Sequence, residues 1–358
     1  MAGVQVQQTK KMPYVRLGNS GLKVSRIILG VMSYGSSEWL SWVIDDEDEV
    51  ARHLKAAYDL GINTFDTSNN YSNGLSEILL GKTIKRLGLP RDEIVVMTKV
   101  FGTVAKDYGT NLTAAATKPL PPVDTIGYVN QHGLSRKHIF DSVKHSLERL
   151  QMDYIDVLQC HRFDYETPIE ETMQALHDVV KAGYVRYIGI SSCWAYQFQA
   201  MQNYAIANNL TPFISLQNHY TLLYREEERE MYPTLKMFGV GSIPWSPLAM
   251  GLLARPPSEE TKRSTSEEFG FIERLLQVKG SNEIIARVEE LAKKRGVSMA
   301  QVSLAWLLSK PGVTAPIVGT TSLKHLYDMA GAVDVHLTDE EIKYLEEPYQ
   351  PQNVFGHV

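Results

Sequence analysis

Three polar side chains, Asp66, Lys99 and His161, stand where short apolar runs end, and Tyr71 follows shortly after the first of them. As a set they suit the reduction of a carbonyl. A proton donor for a carbonyl oxygen needs a hydroxyl whose pKa is brought down from about 10 towards neutrality. A lysine ammonium beside a tyrosine has that effect, a carboxylate keeps the lysine charged and oriented, and a histidine helps position the carbonyl. Taken singly, each has an ordinary explanation. A loop tyrosine packs, a strand-end aspartate or lysine is solvated or ion-paired, and His161, close to Arg162 and Asp164, fits a structural histidine. The residues alone leave both readings open.

For these side chains to meet, the strands that carry them must converge. Apolar runs at 26–29, 63–68, 93–100, 154–161, 187–192, 213–218, 241–247 and 315–320 predict eight strands. Amphipathic patterns at 48–60, 75–87, 135–150, 168–182, 196–208, 225–238, 298–309 and 323–332 predict a helix after each. Strict alternation implies parallel pairing, with every helix a crossover. The fold class is therefore α/β, a (β/α)₈ TIM barrel, with an open doubly wound sheet as the alternative. Tyr14–Val24 reads as an N-terminal hairpin closing the bottom of the barrel, and patterns at 282–295 and 338–347 add two extra helices. Ser135, Thr338-Asp-Glu-Glu341 and Thr167-Pro-Ile-Glu170 read as helix caps. Two long βα loops stand out, 101–134 with Lys118-Pro-Leu-Pro-Pro122 and 248–281 with Arg255-Pro-Pro257. Loops of that length in a compact domain are functional lids or disordered. No linker interrupts the pattern, so residues 1–358 are expected to form one domain.

Composition narrows the function. The chain is 44% hydrophobic with a net charge of −5, and its basic residues are scattered, which argues against nucleic acid as a partner. The run Arg225–Glu230 is expected to be the solvated start of a helix. There is no run of 18 apolar residues, the first fifteen or so residues lack a secretory stretch, and Phe355-Gly-His-Val358 carries no lipid or retention signal. Cys160 and Cys193 are too few for a zinc cluster and fit a reducing compartment, so the cytoplasm is expected. No His-Glu-x-x-His, paired-cysteine or His-x-His pattern occurs, so no metal is expected. Gly81-Lys82-Thr83 imitates part of a phosphate-binding loop, but it lies within a helical pattern and position 76 is serine.

Longer motifs give the residues a context. Leu17-Gly-Asn-Ser-Gly-Leu22, Asn63-Thr-Phe-Asp-Thr-Ser-Asn-Asn-Tyr71 followed by Gly74 and Ser76-Glu77, and Val96-Met-Thr-Lys99 occur in order. Asp153–Asp164 and Gly183-Tyr-Val-Arg-Tyr-Ile-Gly-Ile-Ser191 follow them. The sequence resembles the aldo-keto reductases over nearly its whole length. Its opening Met12–Gly18 and Leu29–Gly35 are most similar to the branch of fungal aryl-alcohol dehydrogenases and versiconal hemiacetal acetate reductases.

The resemblance implies Tyr71 as general acid, Asp66 and Lys99 tuning it, His161 orienting the carbonyl, and direct hydride transfer from a nicotinamide. It implies that Ser191, Ser192 and Gln217 hold the carboxamide, with Trp245 stacked on the ring; many members have asparagine where Ser192 stands. Gly30, Val31, Met32 and Asp66 would also contact the cofactor. Ser246, Leu248, Gly251, Leu253 and Arg255 would fold over the pyrophosphate, and Gly319, Thr320, Thr321, His325, Asp328 and Met329 would meet the adenosine end. NADPH is favoured over NADH, although Gly319 and His325 replace basic residues common in the family. Trp39, Phe101, Tyr128, Trp194 and Tyr220, with Trp42 and Tyr224, could line an aromatic pocket for a small-molecule aldehyde or ketone, aryl ones included. The alternative is a cofactor-binding regulatory subunit on the same barrel, like the potassium-channel β subunits.

Overall fold

The computed structural model describes residues 12–112, 121–259 and 271–357; Lys118-Pro-Leu120 of the first long loop lies outside them. The hairpin forms from β1 (Tyr14–Arg16) and β2 (Lys23–Ser25), paired antiparallel. The eight apolar runs form β3 (Ile28–Gly30), β4 (Thr64–Asp66), β5 (Val95–Val100), β6 (Ile155–Cys160), β7 (Val185–Ser191), β8 (Phe213–Gln217), β9 (Gly241–Ser242) and β10 (Ile317–Val318). They pair in parallel in the order β10-β3-β4-β5-β6-β7-β8-β9. Isolated parallel bridges Ser242–Val313 and Trp245–Ile317 bring the two ends of this order together. The result is a (β/α)₈ barrel.

Each crossover is helical: α1 (Glu47–Asp59), α2 (Leu75–Leu87), α3 (Arg136–Leu150), α4 (Ile169–Lys181), α5 (Ala195–Ala207) and α6 (Met231–Phe238) follow β4's predecessor through β8 in turn. Next come α7 (Phe271–Gln277), α8 (Ser281–Arg295), α9 (Met299–Ser309), α10 (Leu323–Ala330) and α11 (Asp339–Glu346). The short α7 has no counterpart in the periodicity. Ser135 and Thr338 cap as expected, accepting from the backbone N–H of His138 and Glu341. Thr167 does not cap. Its hydroxyl donates to Asp164 instead, at 2.7 Å, and Pro168 occupies the N-cap. The expected solvated helix start at Arg225 is also corrected: Glu226 and Glu227 are buried, and α6 begins only at Met231. Tyr349 and Gln352 donate to Glu226, so this acidic run anchors the C-terminal segment.

Strands β5 and β6 are buried along their whole length because helices cover one face and the barrel interior the other. At the amino end of the barrel, Val95, Met97, Val157, Ile243 and Ile317 pack with Leu17 and Val24 of the hairpin. Farther along the strands polar side chains replace apolar ones: Asp66, Lys99, Gln159 and Gln217 are all buried. Gly189, in register with Gln159, makes room for this layer. A Cβ there would lie 2.3 Å from Ser215 Oγ and 3.4 Å from Gln159 Cγ. Among the described residues, no helix is long and apolar enough to cross a membrane.

Gly81, the residue that imitated a phosphate loop, is a packing glycine between α2 and α3. An added Cβ would sit 2.2 Å from the backbone oxygen of Leu150, which cannot move without the helix. Gly81→Ala is expected to cost about 1–3 kcal/mol in urea unfolding, the usual penalty for overpacking. A loss under about 0.5 kcal/mol would mean that the two helices part freely.

Candidate active site

Lys99 is completely buried, and its ammonium is held by three oxygens. Nζ donates to Asp66 Oδ2 at 2.6 Å, to the Thr67 carbonyl at 2.7 Å and to the Tyr71 hydroxyl at 3.2 Å. The second carboxylate oxygen of Asp66 accepts from Gln159 Nε2 at 2.8 Å and Gln217 Nε2 at 2.9 Å. Burial alone would strip the proton from Lys99, but the fields of Asp66 and Tyr71 and their hydrogen bonds outweigh it and raise its pKa. The ammonium stays charged, one hydrogen bond from a phenol.

Tyr71 is presented by a tight turn. Ser72 and Asn73 adopt left-handed φ values of 46° and 51°, followed by Gly74 at 91°. Non-glycine residues in that region persist only where neighbours hold them. Here Ser72 Oγ accepts from the Ser36 N–H, and Asn73 Nδ2 donates to the carbonyls of Asp107 and Thr110. A Cβ on Gly74 would fall 2.6 Å from Cδ of Arg149, whose Nε donates to buried Glu77 at 2.6 Å. The spacing Tyr71, Gly74, Glu77 is therefore structural.

His161 meets the Tyr71 ring edge-on, with centroids 5.7 Å apart. Burial, with the positive charges of Arg162 and Lys99, holds its pKa well below the ordinary imidazole value. The ring is neutral. Its Nδ1 lies 3.2 Å from Ser68 Oγ, which also donates to Asn70, so one hydroxyl governs which imidazole nitrogen bears the proton. Trp39 also packs near the phenol, tilted, with centroids 6.3 Å apart.

Comparison with known proteins decides what these residues belong to. The Aldo/keto reductase family profile matches residues 26–350. The chain belongs to the aldo/keto reductase family. It is 50% identical to a Schizosaccharomyces pombe protein provisionally named aryl-alcohol dehydrogenase, over 96% of this chain and 98% of that one. It is 48% identical to the versiconal hemiacetal acetate reductase of Aspergillus parasiticus, over 96% and 98%. It is likewise 48% identical to an aldo-keto reductase of Metarhizium robertsii, over 98% and 95%. The chain is an oxidoreductase of a family that uses nicotinamide cofactors on small carbonyl compounds.

Groups suited to a nicotinamide cofactor sit around this aldo-keto reductase's polar layer. Gly30 is in register with Asp66, the Val31 N–H donates to the Asp66 carbonyl, and half-buried Met32, like Tyr71, packs against the cluster of Trp39, Leu40, Trp42 and Val43. Both amide protons of Gln217 are committed, to Asp66 and Gln159, so its Oε1 is what can accept from a carboxamide. Ser191 donates to the Gln217 carbonyl, while Ser192 accepts from Trp245 Nε1 at 3.0 Å and keeps its own proton to give. The Trp245 ring lies 4.3 Å from His219, which in turn packs on Tyr224 and Phe355. His219, Phe355 and Gln159 carry no motif of their own; a glutamine between Leu158 and Cys160, one residue before the strand ends, was the one available signal.

The loop after β9 carries left-handed Ser246, Ala249, Met250 and Gly251. The Arg255 guanidinium folds against Gly251, where a Cβ would meet Nη2 at 2.3 Å. Arg255 makes no ion pair among the described residues, as a phosphate ligand would require. Leu248 is half-buried, and Leu253 is turned into the second core cluster, its N–H given to the Leu248 carbonyl and its carbonyl accepting from Ser303. Gly319, Thr321 and His325 are exposed, and Thr320 Oγ1 caps the Ser322 N–H.

Several expected contacts are corrected. Met329 is buried in the main core, and Asp328 Oδ2 accepts from Ser298 at 2.6 Å. Tyr220 does not line the pocket; it is fully buried against Trp306 and Tyr232, with its hydroxyl on Glu228. Tyr224 stands behind His219. Tyr128 is buried within its loop, accepting from the Lys106 N–H, and Phe101 is partly buried against the main core. Trp194 is exposed, its ring edge-on to His357 of the C-terminal segment.

Burial lowers the pKa of four histidines, His53, His138, His161 and His219, the last to about 3. Above about pH 6.5 neither the folded nor the unfolded chain protonates them. Below it the unfolded chain takes up protons that the folded one refuses, so stability falls with pH until the lowered values are reached. The melting temperature is expected to drop from pH 7 to pH 5, with His219→Phe reducing that drop. A melting temperature that is flat across this range would show that these rings are not held neutral.

Proposed function

We propose that the chain is an NADPH-dependent reductase that converts aldehydes or ketones, aryl ones included, to alcohols. The observation that carries this reading is the Lys99 ammonium bridging buried Asp66 and the Tyr71 hydroxyl, with neutral His161 beside the phenol. When bound, the reduced nicotinamide supplies a hydride to the carbonyl carbon. Tyr71 gives its hydroxyl proton to the carbonyl oxygen, and Lys99 steadies the negative charge that develops on the phenol oxygen. Asp66 keeps Lys99 charged and aimed, and His161 orients the carbonyl without competing for a proton.

The donor set fits the cofactor: Gln217 Oε1 and the Ser192 hydroxyl for the carboxamide, Trp245 for the ring, Arg255 for the pyrophosphate. Preference for NADPH rests on the amino end of α10, where exposed Lys324 and His325 flank helix N–H groups that favour an anion. The relatives' names, aryl-alcohol dehydrogenase and reductase, support the same chemistry read in its two directions. Two thiols kept protonated by burial suit the cytoplasm, and the barrel with its added helices is read as one domain.

Following nicotinamide absorbance with NADPH and NADH separately, against aromatic and aliphatic aldehydes, tests the proposal. Oxidation of NADPH by aryl aldehydes is expected, and Tyr71→Phe should lower kcat by at least about a hundredfold while cofactor affinity stays within a few fold. Wild-type turnover in that variant would overturn the mechanism. Binding of both cofactors with no consumption of either would favour the regulatory subunit.

A further inference from the structure

Arg162 is a basic side chain beside His161, within reach of the Tyr71 phenol's field, that the proposed reduction does not use. It follows His161 directly, beyond the end of β6, and is half-buried. Its Nη1 donates to the His161 carbonyl at 2.6 Å, and among the described residues the guanidinium has no ion pair. Asp164, two residues on, and Glu227, which shares the neighbour Cys193 with it, are both occupied. Asp164 accepts from the Leu134 and Glu166 N–H groups and the Thr167 hydroxyl, and Glu227 faces Asn218 and His357. Lys99, the cation that bonds the Tyr71 hydroxyl, is already neutralised by Asp66. Arg162 therefore carries an uncompensated positive charge. Burial lowers the pKa of Arg162, and the Tyr71 phenol and Cys193 thiol, whose fields reach it, only partly oppose this.

Apart from the Nη1 bond to the His161 carbonyl, no hydrogen bond among the described residues holds the guanidinium, and none of its nitrogens is a sealed-off, unsatisfied atom, so its remaining N–H donors are open to a ligand that comes in from solvent. Its planar fork matches a carboxylate in bidentate fashion. We propose that Arg162 binds an ionised carboxylate on the carbonyl substrate, so that the enzyme prefers aldehydes or ketones bearing an acid group. This rests on the carbonyl-reductase reading above and names its substrate class. Arg162 acts as a binding residue, distinct from the proton donor.

The test compares 4-carboxybenzaldehyde with 4-formylbenzamide, which has the same shape without the charge, using the full chain and its variants Arg162→Met and Arg162→Lys. In the wild type, kcat/KM is expected to favour the acid by about tenfold to a hundredfold, the usual range for a charge-assisted pair. Arg162→Met should abolish that preference, mainly through KM, and Arg162→Lys should retain part of it. Equal kcat/KM for the two aldehydes in the wild type, or a preference that survives in Arg162→Met, would overturn the proposal. Binding of benzoate and benzamide, read by tryptophan fluorescence in the wild type and Arg162→Met, separates the two readings. If no aldehyde is consumed, the reductase reading fails. Selective benzoate binding that is lost in Arg162→Met still upholds the arginine site, and equal binding of both probes refutes it.

Discussion

A lysine ammonium and an aspartate carboxylate, both taken out of water, set the terms for this barrel. Removing two charges from solvent costs several kcal/mol each, and their mutual attraction recovers that only with every remaining lone pair and proton engaged. The structure meets the condition. Lys99 has three oxygen partners, and Asp66 has Lys99 on one oxygen and two amides on the other. Gln159 and Gln217 also bond each other, so the layer is a connected network whose members hold one another in place. Gly189 follows from the same requirement, because a larger residue would push into Ser215 and Gln159.

The barrel was legible because alternation of apolar runs and amphipathic helices is a long-range signal that survives errors at single boundaries. It weakened where packing replaced pattern. β9 and β10 are two residues each, far shorter than their apolar runs, because only part of each run pairs. The acidic run at Arg225 read as solvated because charge normally is; pairing with Arg229, Glu346 and Tyr349 keeps it inside. Thr167 had the right type for a cap, but the helix starts one residue later, with Pro168 at the N-cap, and the Thr167 hydroxyl donates to Asp164.

At the site, Asp66, Lys99 and His161 stood out because each interrupts an apolar strand at its carboxyl end. Side-chain direction was harder to see. Met329 and Tyr220 lie in segments near the expected cofactor and substrate yet turn into cores, a matter of helix phase and loop path that residue type does not encode. His219 and Phe355 meet across distant parts of the chain, and no local pattern links them. Glycines were the opposite case. Gly74 and Gly251 each clear space for an arginine, and the reason appears only once the arginine is in place.

The seam of the barrel has a consequence for motion. Between β9 and β10 closure depends on isolated bridges, one of them formed by Trp245 itself. Backbone hydrogen bonds from Ser242 to Gly312, from Thr314 to Ser242 and from Ile317 to Pro244 cross the seam. The aromatic plate is thus built into it, backed by His219 and within 3.7 Å of where a Cβ on Gly356 would lie. Any displacement of that seam carries the indole with it, so wall and plate move as one piece.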